Sequence, residues 1–478
     1  MNESSGQQIM RRWAFAIMML AILGFAMLVF RPVMVPGQCL FTTDDNIGQM
    51  QMVKNGLSVW ADGNYADNVL LGMPAGAVSV MGWNSLMIWL LPNKFYINWI
   101  RAICLGLASV FCFLFLRRQG VGWGAVCMAC LTVFWLGSNL TLTYAGHIGK
   151  FGLLMVASLS LYCISRALAR QSSILWGILT GGVIAFMLME QMDVALLFGF
   201  TLGAYALFLA IRQWRENGTW AKSVVTLTLM GGMPLLISVT MMFVAYVFNV
   251  KDVASMQAES PQEKWNYVTQ WSWPPDECID FIAPGYMGWR SGEPAGPYWG
   301  RMGRSAGWEQ TRQGFMNFKL ENQYLGIIPI LLAVFAIFSV LARGKYGGNG
   351  VMECRSESVK GAKDREMLSC TDTPILPYAT TSMRAEILFW GCVALITLLL
   401  AFGKFFPLYA LFYKLPVVSS IRNPNKFLQV FQLALGILAA YGLDAMLKMG
   451  RKPLTVGCRR KTDGGCRITD DGLDASDR

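Results

Sequence analysis

Asp44 and Asp45 stand side by side about a dozen residues past the first apolar stretch, in Thr42-Thr43-Asp44-Asp45-Asn46. A carboxylate so placed can act as a general base, and either of the two can serve as a ligand for a divalent cation such as Mg or Mn. The plain alternative is a solvated loop or a helix cap. Three more polar groups interrupt otherwise apolar sequence: Tyr144-Ala-Gly-His147-Ile-Gly-Lys150, which holds the single histidine of the chain, Glu190-Gln191-Met192-Asp193, and a run from Lys404 through Arg422 to Lys426. Acids dominate two of these four groups and fixed cations the other two. A phosphate-bearing substrate beside a carboxylate base requires that mixture.

Arginine grips phosphate oxygens through two parallel hydrogen bonds, whereas lysine supplies a compact charge. Arg422, bracketed by Pro416 and Pro424, and Lys150 are the leading phosphate ligands, against an alternative of ordinary interfacial snorkelling. The candidate set is Asp44 and Asp45 for catalysis, with His147, Lys150, Glu190, Asp193, Lys404 and Arg422 for substrate binding. A hydrogen-bonded structural role competes for His147, and a helix-exit role for each charged residue.

The elements that must position these residues are membrane helices. Of 478 residues, 54% are hydrophobic and 14% charged. Apolar runs of about 20 residues, the length that crosses about 30 Å of hydrocarbon, recur throughout the chain. Ten are clean: Trp13 to Phe30, Ile97 to Leu116, Val121 to Leu136, Phe151 to Ile164, Ile174 to Met189, Val194 to Ile211, Val224 to Val247, Tyr324 to Ala342, Ile387 to Phe402 and Phe427 to Leu447. An eleventh, Val69 to Leu91, is broken by Pro74, Gly76, Gly82, Asn84 and Ser85, and counting it would move Arg117-Arg118 outside.

Ten spans instead put Arg117-Arg118, Arg166 with Arg170, and Arg212 with Arg215 and Lys222 in the cytoplasm together with both termini. The organisation expected is a cytoplasmic segment 1–12, a polytopic domain 13–448 and a polar, disordered cytoplasmic tail 449–478. External loops fall at 31–96, 249–323 and 403–426, and a cytoplasmic loop at 343–386. Within 31–96 the apolar portion should lie along the interface as amphipathic or re-entrant helix. The first span follows Arg11-Arg12 and lacks a small-residue cleavage site, so it reads as a retained anchor.

The net charge of +11 is spread over the cytoplasmic loops and tail, and reports topology and anionic lipid rather than nucleic acid. Twelve cysteines include a C-x-x-C pair, Cys127 and Cys130, inside an apolar run, which points to packing rather than metal. Cys39 and Cys278 form the one candidate pair for an external disulfide. Loop 249–323 is crowded with tryptophan and tyrosine, suited to stacking on sugar rings or to lying at the membrane interface, and reads as an ordered lid.

Several motifs together resemble the bacterial YfhO-like membrane proteins, within the GT-C class of polyprenyl-phosphate-sugar-dependent glycosyltransferases. They are the first-loop acids, Ala145-Gly146-His147 with Lys150, Tyr324-Leu-Gly-Ile-Ile-Pro329, Phe402-Gly-Lys-Phe-Phe-Pro407-Leu-Tyr, Leu415-Pro416 to Arg422-Asn-Pro424, and Ala439-Ala-Tyr-Gly442-Leu-Asp444. The resemblance spans most of residues 10–448 and is most specific at its carboxyl-terminal part. It implies an all-α, GT-C-like integral membrane fold in the bacterial cytoplasmic membrane. It also implies inverting transfer of a sugar from a polyprenyl-phosphate carrier to an external glycan, lipid or protein acceptor, with a first-loop Asp as base. Members of that family usually continue with further spans or an external domain, so a truncated or frame-shifted product is one reading of this chain. A transporter or flippase for lipid-linked glycans and a noncatalytic scaffold are the competing functions.

Overall fold

The computed structural model describes residues 5–42, 44, 46–48, 50–51, 54, 65–66, 73–74, 82–168, 173–218, 220–246, 260–289, 297–320, 322–344, 381–415 and 418–449. Asp45, Arg170, most of 52–81, the bulk of loop 343–386 and the tail from 450 therefore lie outside the described residues.

Helices dominate because the apolar runs leave backbone amides no other partner within hydrocarbon. Six helices are long and apolar enough to cross a membrane: Asn93–Arg118, Trp123–Ala145, Ile148–Ala167, Met192–Glu216, Met383–Ala401 and Pro424–Met449. Four shorter apolar helices, Trp13–Val29, Ile174–Glu190, Ala221–Leu236 and Ile327–Leu341, occupy the other four apolar runs. The protein is a multi-pass helical membrane protein. Among the described residues the only sheet is a two-residue antiparallel ladder, Tyr65–Ala66 with Met73–Pro74.

In chain order, α1 is Ser5–Val29, α2 Trp83–Leu90, α3 Asn93–Arg118, α4 Trp123–Phe134, α5 Gly137–Ala145, α6 Ile148–Ala167, α7 Ile174–Glu190 and α8 Met192–Asn217. They are followed by α9 Ala221–Tyr246, α10 Pro261–Val268, α11 Trp308–Thr311, α12 Ile327–Gly344, α13 Thr381–Ala401, α14 Pro407–Tyr413 and α15 Phe427–Met449. Of the interrupted run Val69 to Leu91, only the eight-residue α2 is described as helix, with Trp89 and Leu90 exposed and Ile88 buried. Eight residues rise about 12 Å, far short of a span. The stretch 137–145, which the ten runs leave between two spans, is the helix α5, and its Thr141 and Thr143 hydroxyls find partners in carbonyls four residues earlier.

The last helix, α15, is the hub. A Cβ on Gly436 would lie 1.7 Å from Cγ2 of Val133, and one on Gly442 would lie 2.0 Å from the carbonyl oxygen of Leu332. Small residues thus let α15 press against α4 and α12, the way membrane helices gain contact without a hydrophobic drive. Cys127 and Cys130 face carbonyls of Ala14 and Ser109 in this packing, and Cys39 and Cys278, the candidate pair for an external disulfide, are free thiols.

One end of the bundle gathers the basic residues. Arg118 Nε donates to Ser165 O at 2.9 Å, Arg212 Nη1 to buried Glu386 Oε1 at 3.3 Å, and Gly122 N to Asp444 Oδ1 at 2.9 Å. The other end carries a cap built from 260–289 and 297–320. Backbone bonds fasten it to the helix ends: Trp273 N to Ala401 O at 2.8 Å, Asn423 N to Val268 O at 3.0 Å, Asn425 N to Trp271 O at 3.1 Å. Trp273 and Tyr298 are buried in the cap, whereas Tyr286, Trp289 and Trp299 are exposed, so the aromatic residues divide between packing and surface.

Candidate functional site

The first loop is brought to the α5–α6 junction by backbone geometry. Leu40 N donates to Asn98 Oδ1 at 2.9 Å, and Asp44 N donates to Ala145 O at 3.2 Å. Between α5 and α6 the chain turns at Gly146 with φ +95°, a left-handed conformation that closes α5 through Gly146 N to Leu142 O. A Cβ at Gly146 would sit 2.1 Å from Asp44 O, so only glycine admits the loop this close. From beneath, fully buried Arg101 donates Nη2 to Gly146 O at 3.2 Å and Nη1 to Ile97 O at 2.9 Å.

That junction places His147 Nδ1 3.7 Å from Asp44 Oδ2. Lys150, buried in the first turn of α6, and Lys426, at the entry to α15, extend the cluster. Lys426 Nζ is paired with Asp193 Oδ2, and Val194 N donates to Asp193 Oδ1 at 2.8 Å, which seats the carboxylate at the start of α8. Burial first, then the charges of Lys150 and Lys426, push the His147 pKa down from 6.5 to about 4, against an opposing pull from Asp193. His147 is therefore neutral at pH 7. Because it is the only histidine, a ring-labelled sample gives an unambiguous titration: its ring should remain neutral down to pH 5. A midpoint near 6.5 would contradict this electrostatic picture. The sign for folding follows by linkage: the unfolded chain binds the proton first, so stability is full above 6.5 and declines as pH falls toward 4.

Beside this cluster opens a small polar cleft with about 20 Å³ of room, enough for about one water molecule. Lys150 and Lys426 line it with the carboxamides of Asn139, Gln323, Asn425, Gln429 and Gln432. Gln429 leaves its buried Oε1 without a hydrogen-bond partner among the described residues. Lys150 and Lys426, the latter already paired with Asp193, set N–H donors among neutral amides at the mouth of this cleft.

The sequence candidates do not all converge. Asp44, His147, Lys150 and Asp193 come together. Glu190 turns elsewhere and receives Asn84 N at 3.3 Å and the Asn84 side-chain amide at the start of α2. Arg422 lies over the ring of Tyr267 at 3.9 Å and near that of Trp271 at 5.4 Å. Its Nε is buried without a hydrogen-bond partner among the described residues. Lys404 sits beside Phe405 with Arg301. Lys426 and Arg101 were not among the sequence candidates, and no local signal separated Lys426 from neighbouring Arg422. For a divalent cation, Asp44 is the described member of its pair, and among the described residues no three His, Cys, Asp or Glu side chains gather as a metal site. A scan against protein-family models finds no match to this chain, and a search of curated proteins finds none.

Proposed function

We propose that this protein is a GT-C-type membrane glycosyltransferase that moves a sugar from a polyprenyl-phosphate carrier to an acceptor on the external face of a bacterial cytoplasmic membrane. The observation that carries the reading is Asp44 beside neutral His147, next to a cleft lined by Lys150 and Lys426. In this scheme an acceptor hydroxyl attacks C1 of the donor sugar while Asp44 takes its proton. The C1–O bond to phosphate breaks with inversion, and the phosphate leaves with the electron pair. Lys150 and Lys426 stabilise the charge that develops there.

The carrier phosphate enters from the lipid and the acceptor from the cap side, where Arg422 on its aromatic bed offers a second phosphate grip. The proposed topology has ten spans, with the basic end of the bundle in the cytoplasm. A reporter active only outside the cytoplasm should work after Ala61 or Gly285 and be silent after Gly348; activity at Gly348 would overturn it. For the reaction itself, cells lacking the gene should accumulate polyprenyl-phosphate-linked sugars, measured by mass spectrometry of extracted lipid. An unchanged pool, with purified protein inert toward such donors, would sink the assignment.

A further inference from the structure

Lys404 is separate from the Asp44 cluster and has no carboxylate partner among the described residues. It follows α13 by three positions, in a short turn, Gly403–Phe405, that continues into α14. Exposed Leu411 and Leu415 mark that segment as lying at the hydrocarbon boundary. Lys404 Nζ lies 5.5 Å from the centre of the Phe405 ring and Arg301 Cζ 4.8 Å from the same centre, so one aromatic face gathers both cations. Arg304 adds a third charge nearby. Arg301 is paired with Asp276 and Arg304 with Glu309, which leaves Lys404 as the unmatched charge.

Exclusion of water, then repulsion from Arg301 and Arg304, holds the Lys404 ammonium below the ordinary lysine range. An arrangement of like charges that disfavours its own charged state is relieved by an anion. This cluster lies at the bundle end opposite Arg118 and Arg212, so the inside-positive bias of membrane proteins does not account for it. Its backbone is fixed by Lys404 N donating to Ser272 Oγ at 3.0 Å, which makes it a held position rather than a loose side chain on a tail.

We infer that Lys404 and Arg301, gathered on the Phe405 ring, with the charge of Arg304 nearby, form a binding site for the phosphate of an anionic phospholipid headgroup at the membrane surface, separate from the cleft lined by Lys150 and Lys426. The lipid tails would lie along α13 and the apolar side of α14, and the bound lipid would tie the cap to the bilayer. Free phosphate shares the headgroup chemistry but lacks the tails.

Native mass spectrometry of the full chain, titrated with phosphatidylglycerol, phosphatidylcholine, polyprenyl phosphate or inorganic phosphate, tests the site. Phosphatidylglycerol should bind more tightly than phosphatidylcholine. Lys404→Gln should weaken phosphatidylglycerol binding roughly fivefold, the scale of one lysine at an anionic surface, and Lys404→Glu by about twenty-fivefold. Lys404→Arg should stay within about twofold. Wild-type affinity in Lys404→Glu would overturn the site. Displacement of phosphatidylglycerol by millimolar inorganic phosphate would overturn the lipid assignment, as would exclusive competition by polyprenyl phosphate. Wild-type thermal unfolding of the three variants would show that any loss of binding is not a loss of fold.

Discussion

Asp44→Asn should lower sugar transfer by at least about a hundredfold while the protein still inserts and folds, because general-base help contributes on that scale. The substitution keeps the backbone bond from Asp44 N to Ala145 O, and the amide matches the carboxylate in size. Only the capacity to take a proton is removed. Single-turnover transfer in nanodiscs, at saturating donor, separates this from a binding defect, and turnover equal to wild type would remove Asp44 from the mechanism. His147→Gln should cost less than Asp44→Asn, since the ring is neutral and acts on the acid beside it. Between pH 5.5 and 7.5 the rate should show no inflection from His147, whose own titration lies near 4.

The second large effect lies in the cap. Lys319 and Asp280 are both fully buried, paired with each other, and the ammonium stands 5.5 Å from the Trp273 ring centre and 5.2 Å from that of Tyr298. Lys319→Met should destabilise the protein by about 3 to 5 kcal/mol, since it leaves a fully buried carboxylate with the Met287 amide, at 3.2 Å, as its one remaining donor among the described residues. Adding Asp280→Leu should restore most of that loss, because an apolar pair of similar volume needs no desolvation. Thermal unfolding followed by tryptophan emission reads both variants. Equal stability of Lys319→Met and wild type would mean that water reaches the pair.

How much of this was legible in the sequence depends on range. Each of the ten apolar runs holds an apolar helix, because hydrophobicity over 15 to 20 residues acts locally on the backbone. The helix α5 escaped notice, since Gly137-Ser138-Asn139 looks like a turn until Asn139 Nδ2 is seen to donate inward to Val133 O and Phe134 O. The polar cluster was half legible. Asp44, His147, Lys150 and Asp193 stood out as charges at the ends of apolar runs. Choosing Lys426 over Arg422 as the partner of Asp193 required knowing the rotation of α15, set by contacts at Gly436 and Gly442 with helices far away in sequence. The Lys319–Asp280 pair was invisible for the same reason: its members are 39 positions apart in a segment with no periodicity.

The Asp193–Lys426 pair joins the start of α8 to the entry of α15 across 233 positions, and His147 and Asp44 complete the same cluster from still earlier in the chain. During synthesis the acid of the first loop is made long before the lysine that joins its cluster. A nascent or truncated chain that stops before α15 therefore carries Asp193 without its counter-ion, and the cleft lacks the wall formed by Asn425, Gln429 and Gln432.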